Sequence, residues 1–495
     1  MKKILKVMSI LGIATCVKLI LGFVRAKFLA CQLGPAGMGL VGQATMYWVF
    51  AIQICSLNIG IGITKEISEG IARNDKERIR HTINTAWTLQ LLASIIFIAA
   101  VLPFSAYLSK FVFADQKYWL YFAGITVVTP FAVYLTGAAD PVLYGFRKVA
   151  DVSRLIIMYT LIGICLLLVL VYFYKIEGMM IQIMVISVVG FILSYHYIRK
   201  CTTINPRPDP GLFRKPQTRA IASNLFQYGF ISFIPANIGM FTMIYIRGLF
   251  MRQFGVEANG YFQVAYAVSA YYLPFVTNAL WGHFYPEMCS LKTNEDINRE
   301  LNQFIRFAIL VSTAIAAGSI IFRKYLILIL FSSKFMDAYD LLGIQAVGDI
   351  FLVLFSTFST ALMARRKFAG VIGISAIGYN ALLLAIYFVV RGMPGIDYRS
   401  LNVALVLANV VIVAAHMLYA RFDTGFLLTG KNVSLIVKTG IFVTIIFLLP
   451  DGSLALVAGK IALSAVWLAL SITKNEAQRG LDIIRSFIRR KQAHA

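Results

Sequence analysis

Charge is scarce in this sequence. Only 14% of its 495 residues are Asp, Glu, Lys or Arg, against about a quarter in a soluble globular protein. The deficit falls on the acids, 22 against 46 basic residues. Cysteine is sparse as well. Cys16, Cys31, Cys55, Cys165, Cys201 and Cys289 show no CxxC spacing, so neither a disulfide framework nor a thiolate metal site is indicated. His81, His196, His283, His416 and His494 do not cluster and no HExxH occurs, so neither metal nor cofactor is expected. There is also no large outward loop with paired carboxylates, on which a membrane glycan polymerase would display its acceptor site.

What fills the chain is apolar: 59% hydrophobic residues and a mean hydropathy of +0.77. The apolar residues come in blocks of about 20, enough to cross roughly 30 Å of hydrocarbon. The expected fold is an all-α polytopic membrane protein with about 14 transmembrane helices. The spans fall near 5–33, 38–62, 82–104, 118–139, 152–174, 179–198, 223–251, 258–284, 304–322, 338–363, 369–390, 401–420, 433–449 and 454–472. The start resembles a signal peptide, but its apolar run continues past Lys18 to Leu33 without a small-x-small cleavage site, so it reads as a retained first helix. With the N-terminus in the cytoplasm, 32 of the 46 Lys and Arg fall on inner loops and tails, nine on outer loops and five within spans. That excess is the positive-inside pattern. It places both termini in the cytoplasm and accounts for most of the +24 net charge without nucleic acid.

Residues 34–80 are echoed at 255–301. Gly34-Pro-Ala-Gly-Met-Gly39 answers Gly255-Val-Glu-Ala-Asn-Gly260, and Glu66, Asp75 and Arg78 fall on Glu287, Asp296 and Arg299. Arg147-Lys-Val-Ala150 is echoed by Arg366-Lys-Phe-Ala369. Two matching apolar halves with even span counts imply pseudo-symmetric six-helix lobes sharing one orientation. The organisation expected is a lobe at 1–200, a cytoplasmic linker at 201–220 rich in proline, and a lobe at 221–421. Two extra helices follow at 422–472, then a cytoplasmic amphipathic tail at 473–495.

Two nucleotide-like motifs fail on context. Gly425-Phe-Leu-Leu-Thr-Gly-Lys-Asn432 nearly spells a P-loop, but Asn432 stands where Ser or Thr should hold magnesium and no strand precedes it. Gly37-Met-Gly-Leu-Val-Gly42 opens a membrane helix, where glycines let backbones approach closely.

Cations within spans are the better candidates, because a central Lys or Arg costs about 2.5–3.5 kcal/mol and usually faces the protein interior. Lys18 lies near mid-membrane, Arg25 shares its helical face, and Arg247 sits one residue out of register with Arg25 in the second half. They either line one cavity suited to an anionic head group or, for Arg25, Lys27 and Arg247, snorkel to the outer headgroups. Lys460, in an extra span, reads as structural. Gln43, Gln53, Asn58, Asn237, Gln263 and Asn278 either hydrogen-bond sugar hydroxyls or glue helices together. Pro235 and Pro274 would bend their spans. Asp349, near mid-depth, either pairs with a cation or takes up a proton in energy coupling. Glu66 and Glu287, at inner span ends, form either a salt-bridged inner gate or ordinary anchors.

Gly34-Pro-Ala-Gly-Met-Gly-Leu40, Gly60-Ile-Gly-Ile-Thr-Lys-Glu66, Phe331-Ser-Ser-Lys-Phe335 and Gln345-Ala-Val-Gly-Asp349 resemble the polysaccharide branch of the multidrug/oligosaccharidyl-lipid/polysaccharide exporter superfamily. Within it the likeness is to Wzx-type flippases of O-antigen and enterobacterial common antigen (lipid III). The resemblance implies a transporter, not an enzyme, of the bacterial inner membrane, active in lipopolysaccharide and related polysaccharide biosynthesis. Its cargo would be an undecaprenyl-pyrophosphate-linked oligosaccharide. Expected partners are membrane lipids and the glycan polymerase and chain-length regulator of the same pathway. A cationic cavity lined by the first two helices of each lobe carries over to Lys18, Arg25 and Arg247. Many relatives have twelve spans, and the additional pair here departs from them. The alternatives are a multidrug or cation antiporter of the same superfamily, which should favour acidic lumen groups, and a membrane glycan polymerase or glycosyltransferase.

Overall fold

The computed structural model describes residues 2–202, 204, 206–208, 216–450 and 454–472. The expected amphipathic tail and most of the proline-rich linker lie outside the described residues. Among the described residues the chain is helical, without strands. In the first part run α1 (Lys2–Ser56), α2 (Gly60–Ala72), α3 (Lys76–Val101), α4 (Ser105–Phe113), α5 (Trp119–Val133), a π-helical stretch (Tyr134–Ala139), α6 (Asp140–Gly145) and α7 (Val149–Thr202). There follow α8 (Pro216–Phe254), α9 (Val256–Ala279), α10 (Tyr285–Ser290), α11 (Asn294–Ile321), α12 (Arg323–Leu330) and α13 (Ala338–Ala364). The last are α14 (Phe368–Gly370), α15 (Tyr379–Val390), α16 (Ser400–Thr424), α17 (Gly430–Leu448) and α18 (Leu454–Ser471).

Eleven helices among the described residues are long and apolar enough to cross a membrane. Two of these runs are interrupted. The first carries Gly34 at φ 63° inside α1, and α7, at 54 residues, carries Lys175 at φ 50°. Both breaks fall between two expected spans. The expected span 258–284 is not among the eleven; α9 and a π-helical turn at Leu280–Phe284 cover it. Expected span 38–62 is not one helix. Leu57 and Asn58 both adopt left-handed conformations and divide α1 from α2. Locally, the Ser56 hydroxyl donates to the Gln53 carbonyl at 3.0 Å and accepts from the Asn58 amide at 3.3 Å, offering the backbone an alternative to the helical ladder.

The sequence echoes are also conformational echoes. Gly34 and Gly255, 221 residues apart, both take positive φ (63° and 89°), a conformation glycine adopts without steric cost. Arg147 and Arg366 stand at φ 56° and 57°. In each case the left-handed Arg ends a helix with the same pair of bonds. Lys148 N donates to Leu143 O and Arg147 N to Tyr144 O; Lys367 N donates to Leu362 O and Arg366 N to Met363 O. This is a Schellman ending with Arg in place of the usual Gly.

The chain packs as two compact units. One comprises Met1–Ala267, Tyr325–Leu341 and Phe368–Ala404; the other Val268–Lys324, Leu342–Lys367 and Leu405–Ala495. In the first unit, Ile59, Ile63 and Ile67 recur every four residues, so one face of α2 meets Ile79 and Ile83 of α3, Val142 of α6, and Ile221 and Leu225 of α8. In the second, Phe284 and Phe304 lie with ring centres 4.1 Å apart amid Ile305, Val353, Phe358 and Phe426. The pair α17 and α18, outside the sequence repeat, joins that unit's core through Phe442, Ile446 and Trp467 against Ala316, Ile320 and Ile350.

Glycine makes one contact in the first unit possible. A Cβ on Gly260 would run into the main-chain carbonyl of Pro35, whereas a Cβ on Gly239 would meet nothing within 4 Å. Gly260→Val is therefore expected to destabilise the protein by about 1–3 kcal/mol through overpacking. Gly239→Ala should leave the melting temperature unchanged or slightly higher, and thermal unfolding of the two purified variants in detergent checks the contrast.

Candidate functional site

The repeated glycine motifs dock on each other within the first unit. A Cβ on Gly39 would meet the Val256 carbonyl and, at 2.9 Å, the Gly260 amide nitrogen; a Cβ on Gly260 would meet the Pro35 carbonyl. Pro35 and Val256 are repeat mates, as are Gly39 and Gly260, so the contact is reciprocal in the manner of a twofold interface. Backbones approach this closely only where side chains are missing.

Arg247 of α8 is sealed beneath this contact, with no exposed surface. Its Nε donates to Asn259 Oδ1 at 2.8 Å, and Asn259 Nδ2 donates onward to the Gly39 carbonyl at 2.8 Å. The guanidinium carbon stands 5.1 Å from the Phe262 ring centre. Among the described residues neither Nη1 nor Nη2 has an acceptor, and the buried Oε1 of Gln263 has no donor. Gly42 provides the room both occupy, for a Cβ there would meet Gln263 Oε1 and, at 2.6 Å, Arg247 Nη2. Complete burial excludes the snorkelling reading for Arg247. Two unpaired N–H edges on a buried cation are costly, so this arrangement favours an anionic acceptor.

Arg25 lies elsewhere in the same unit. With Gly22 and Trp48 of α1 and Tyr159, Thr160 and Gln182 of α7 it lines a cavity of about 220 Å³. Arg247 does not line that cavity, so the two cations expected to share one are held at two places. Lys18 has its backbone in α1, but its side chain lies outside the described residues. Lys27 donates to the Leu328 carbonyl at 2.6 Å. Lys460 is buried in α18.

The amides divide. Gln43 is buried and its Nε2 donates to the carbonyls of Val112 (3.0 Å) and Ile244 (3.4 Å), tying α1 to α4 and α8. Asn237 donates to Phe233 O within its own helix. Gln53 keeps a buried Oε1 with no partner among the described residues. Asn58 is exposed at the α1–α2 break and donates to the Ser232 hydroxyl at 2.9 Å, and Asn278 is exposed on α9.

The acids are more sharply placed. Asp349 of α13, in the second unit, is buried. It accepts from Ser269 Oγ at 2.5 Å, from Tyr272 Oη, and from Gln345 Nε2 at 2.9 Å. All three donors are neutral, and no salt bridge to Asp349 occurs among the described residues. Glu66 is buried in the first unit, accepting from Arg78 Nη2 at 2.7 Å and Nε at 3.1 Å, and from Asn224 of α8 at 3.2 Å. Its repeat mate Glu287 is exposed. The near P-loop is a helix start: Thr429 caps α17 by accepting from Asn432 N, and the Asn432 side chain donates to Asn302. No group of three His, Cys, Asp or Glu that could hold a metal occurs among the described residues.

Asn259 was not among the expected site residues. Its signal was present, since it stands where the first motif has Met38. A polar residue replacing an apolar one in an otherwise glycine-matched motif marks the place where the halves diverge. Ser269 and Tyr272, spaced three apart on α9, were likewise missed.

A helical scaffold of two sequence repeats with eleven membrane-length apolar helices among the described residues is that of a multi-pass membrane protein. It shares its fold with solved structures of membrane transporters. One is an inward-facing multidrug resistance MATE family transporter of the MOP superfamily (TM-score 0.66, 14% identity, 85% of this chain and 98% of that one). Another is the lipid II flippase MurJ in an inward closed conformation (TM-score 0.63, 14% identity, 93% and 97%). The chain belongs to the family described as polysaccharide biosynthesis protein, whose pattern matches residues 4–288. Among curated relatives, the lipid III flippase of Escherichia coli strain K12 is 24% identical over 362 residues, 72% of this chain and 83% of the relative. The stage V sporulation protein B of Bacillus subtilis strain 168 is 25% identical over 206 residues, 40% and 38% respectively.

The Arg247–Asn259–Gly39 chain should behave as one unit. Asn259→Leu leaves Arg247 Nε unpaired and removes the side-chain bond to the Gly39 carbonyl, and is expected to cost about 2–4 kcal/mol. Adding Arg247→Met should recover most of that loss, because the buried charge is gone. Thermal unfolding of both single variants and the double variant measures the coupling.

Proposed function

We propose that the protein is a flippase that carries an undecaprenyl-pyrophosphate-linked oligosaccharide, an O-antigen unit or related surface glycan, from the cytoplasmic to the periplasmic leaflet by alternating access. The observation that carries this reading is the buried Arg247, whose two unpaired Nη groups match the paired oxygens of a phosphate. Membership of a polysaccharide biosynthesis family and likeness to a protein named lipid III flippase support it.

The physical problem is that sugars and a diphosphate lose their hydration in hydrocarbon. In the proposed cycle Lys18, Arg25 and Arg247 hold phosphate while Gln53, Asn58, Gln263 and Asn278 meet sugar, and the polyprenyl tail stays in lipid. Gln43, bonded to two backbone carbonyls, serves the scaffold. The lobes at 1–200 and 221–421 share one orientation, with both termini cytoplasmic. The reciprocal glycine contact is then an outer closure that must part for release. Glu66, tying α2 and α3 to α8, is the inner counterpart.

Asp349 is the proposed coupling acid, since a buried carboxyl whose partners among the described residues are neutral donors can change protonation without breaking an ion pair. Each charge moved across 100 mV supplies about 2.3 kcal/mol, enough to bias a two-state cycle. A multidrug antiporter is the second reading, favoured by the MATE likeness. The buried guanidinium argues against cationic drugs as cargo.

Charge reversal at Lys18, Arg25 or Arg247 is expected to abolish glycan export while the protein still accumulates in the membrane. Normal surface glycan in all three variants contradicts the phosphate role. Asp349→Asn should lower export and remove its response to an imposed pH gradient in vesicles. An unchanged response assigns that acid to packing.

A further inference from the structure

The first unit also carries an open cleft of about 780 Å³ between α2 and α6, with the polar side chains of Asn58, Lys65, Thr136, Asp140 and Tyr144 set among apolar wall residues such as Ile61 and Pro141. Resting on the flippase reading, we propose that this cleft binds the sugar rings of the cargo through their hydroxyls, apart from the cations that hold its phosphates.

Backbone geometry is the first reason. Both walls are irregular: Leu57 and Asn58 are left-handed on one side, and the π-helical stretch Tyr134–Ala139 leads into α6 on the other. π-Helical turns are costly and gather at functional sites.

The side chains are the second reason. Asp140 and Tyr144 stand four residues apart on α6 and share a face. An ionised carboxylate only accepts hydrogen bonds, which suits neighbouring hydroxyls of a pyranose. Tyr144, 41% exposed, offers a flat ring to the sugar's apolar face and a hydroxyl at its edge. Thr136, four residues before Asp140 on the same wall, and Asn58 on the facing wall are exposed and supply both donors and acceptors.

The charge balance is the third reason. One acid and one cation, Lys65 in turn 3.7 Å from Glu69, give no net attraction for phosphate. A neutral polyol fits this mixture better than an anion, while Arg247 and Arg25 suit the opposite end of the same molecule. Floor packing fixes the cleft's width, for Thr64 Oγ1 donates to the Pro141 carbonyl at 3.0 Å across its base.

The test uses the full-length protein in lipid nanodiscs and a phosphate-free, lipid-free probe. That probe is the oligosaccharide released by mild acid from the host strain's own lipid-linked pool. Saturation-transfer NMR reads which sugar protons contact the protein, and titration gives the affinity. Wild type is expected to bind, with Asp140→Asn and Tyr144→Ala each at least tenfold weaker, while Tyr144→Phe keeps the ring and most of the affinity. Melting temperatures of the variants separate lost binding from lost folding. No binding by wild type, or equal binding by all well-folded variants, overturns the cleft as a sugar site. Export of the intact lipid-linked glycan by the same cells tests the flippase reading separately. Normal export with no sugar binding in the cleft would sink only this inference.

Discussion

A guanidinium sealed without solvent beneath two helices is the constraint on which the rest of this protein depends. Arg247 keeps one hydrogen bond, through Nε to Asn259, and leaves both Nη groups without an acceptor among the described residues. Such burial is expensive unless packing over-determines it. The packing here is unusually tight because Gly39 and Gly260 let backbones meet where any side chain would collide. The same glycines that close the contact thus hold a charge in an environment that favours an anionic partner. A site tuned for binding rather than stability has this character.

The repeat explains how such a site arises from two similar halves. Scaffold features recur: positive φ at Gly34 and Gly255, and the left-handed helix endings at Arg147 and Arg366. Polar features do not. Asn259 replaces the mate of Met38, and buried Glu66 has an exposed mate in Glu287. Asp75 caps α3 directly, whereas its mate Asp296 lies one turn inside α11, which Thr293 caps. Near-symmetric backbones supply the contact, and asymmetric side chains give it chemistry.

Much of this was legible in the sequence. Long apolar runs declared the helices, and fixed-offset glycines declared the repeat, because both are local patterns with direct physical meaning. The break at Leu57 and Asn58 was legible only in part, since Asn tolerates the left-handed conformation and Ser56 can bond the backbone two residues on, but Leu57 is no usual helix stop. The depth of Arg247 in its span could not distinguish burial from snorkelling. That distinction depends on Gly42, Asn259 and Gln263, residues of another helix or another segment. For the same reason depth did not show that Arg25 lines a cavity that Arg247 does not line. Similar depth along two helices does not fix which neighbour each side chain faces, and Arg25 turns to α7. Asp349 was readable as a mid-span acid, but its three neutral donors were not.

Transport of a lipid-linked glycan joins these features physically. The cargo's charged and polyol parts need different surroundings, and the protein offers cations deep among its helices and, at a helix break, a cleft with polar side chains among apolar ones. In the proposed cycle, proton binding at Asp349 couples transport to an existing gradient. The central claim is that the protein moves such a glycan between leaflets. The most direct measurement is the leaflet on which lipid-linked glycan accumulates when the protein is depleted, read with an impermeant sugar-modifying reagent on intact and opened membrane vesicles. Accumulation of complete, unpolymerised units confined to the cytoplasmic leaflet is the predicted result. Units accessible on the periplasmic leaflet at normal rates would contradict it.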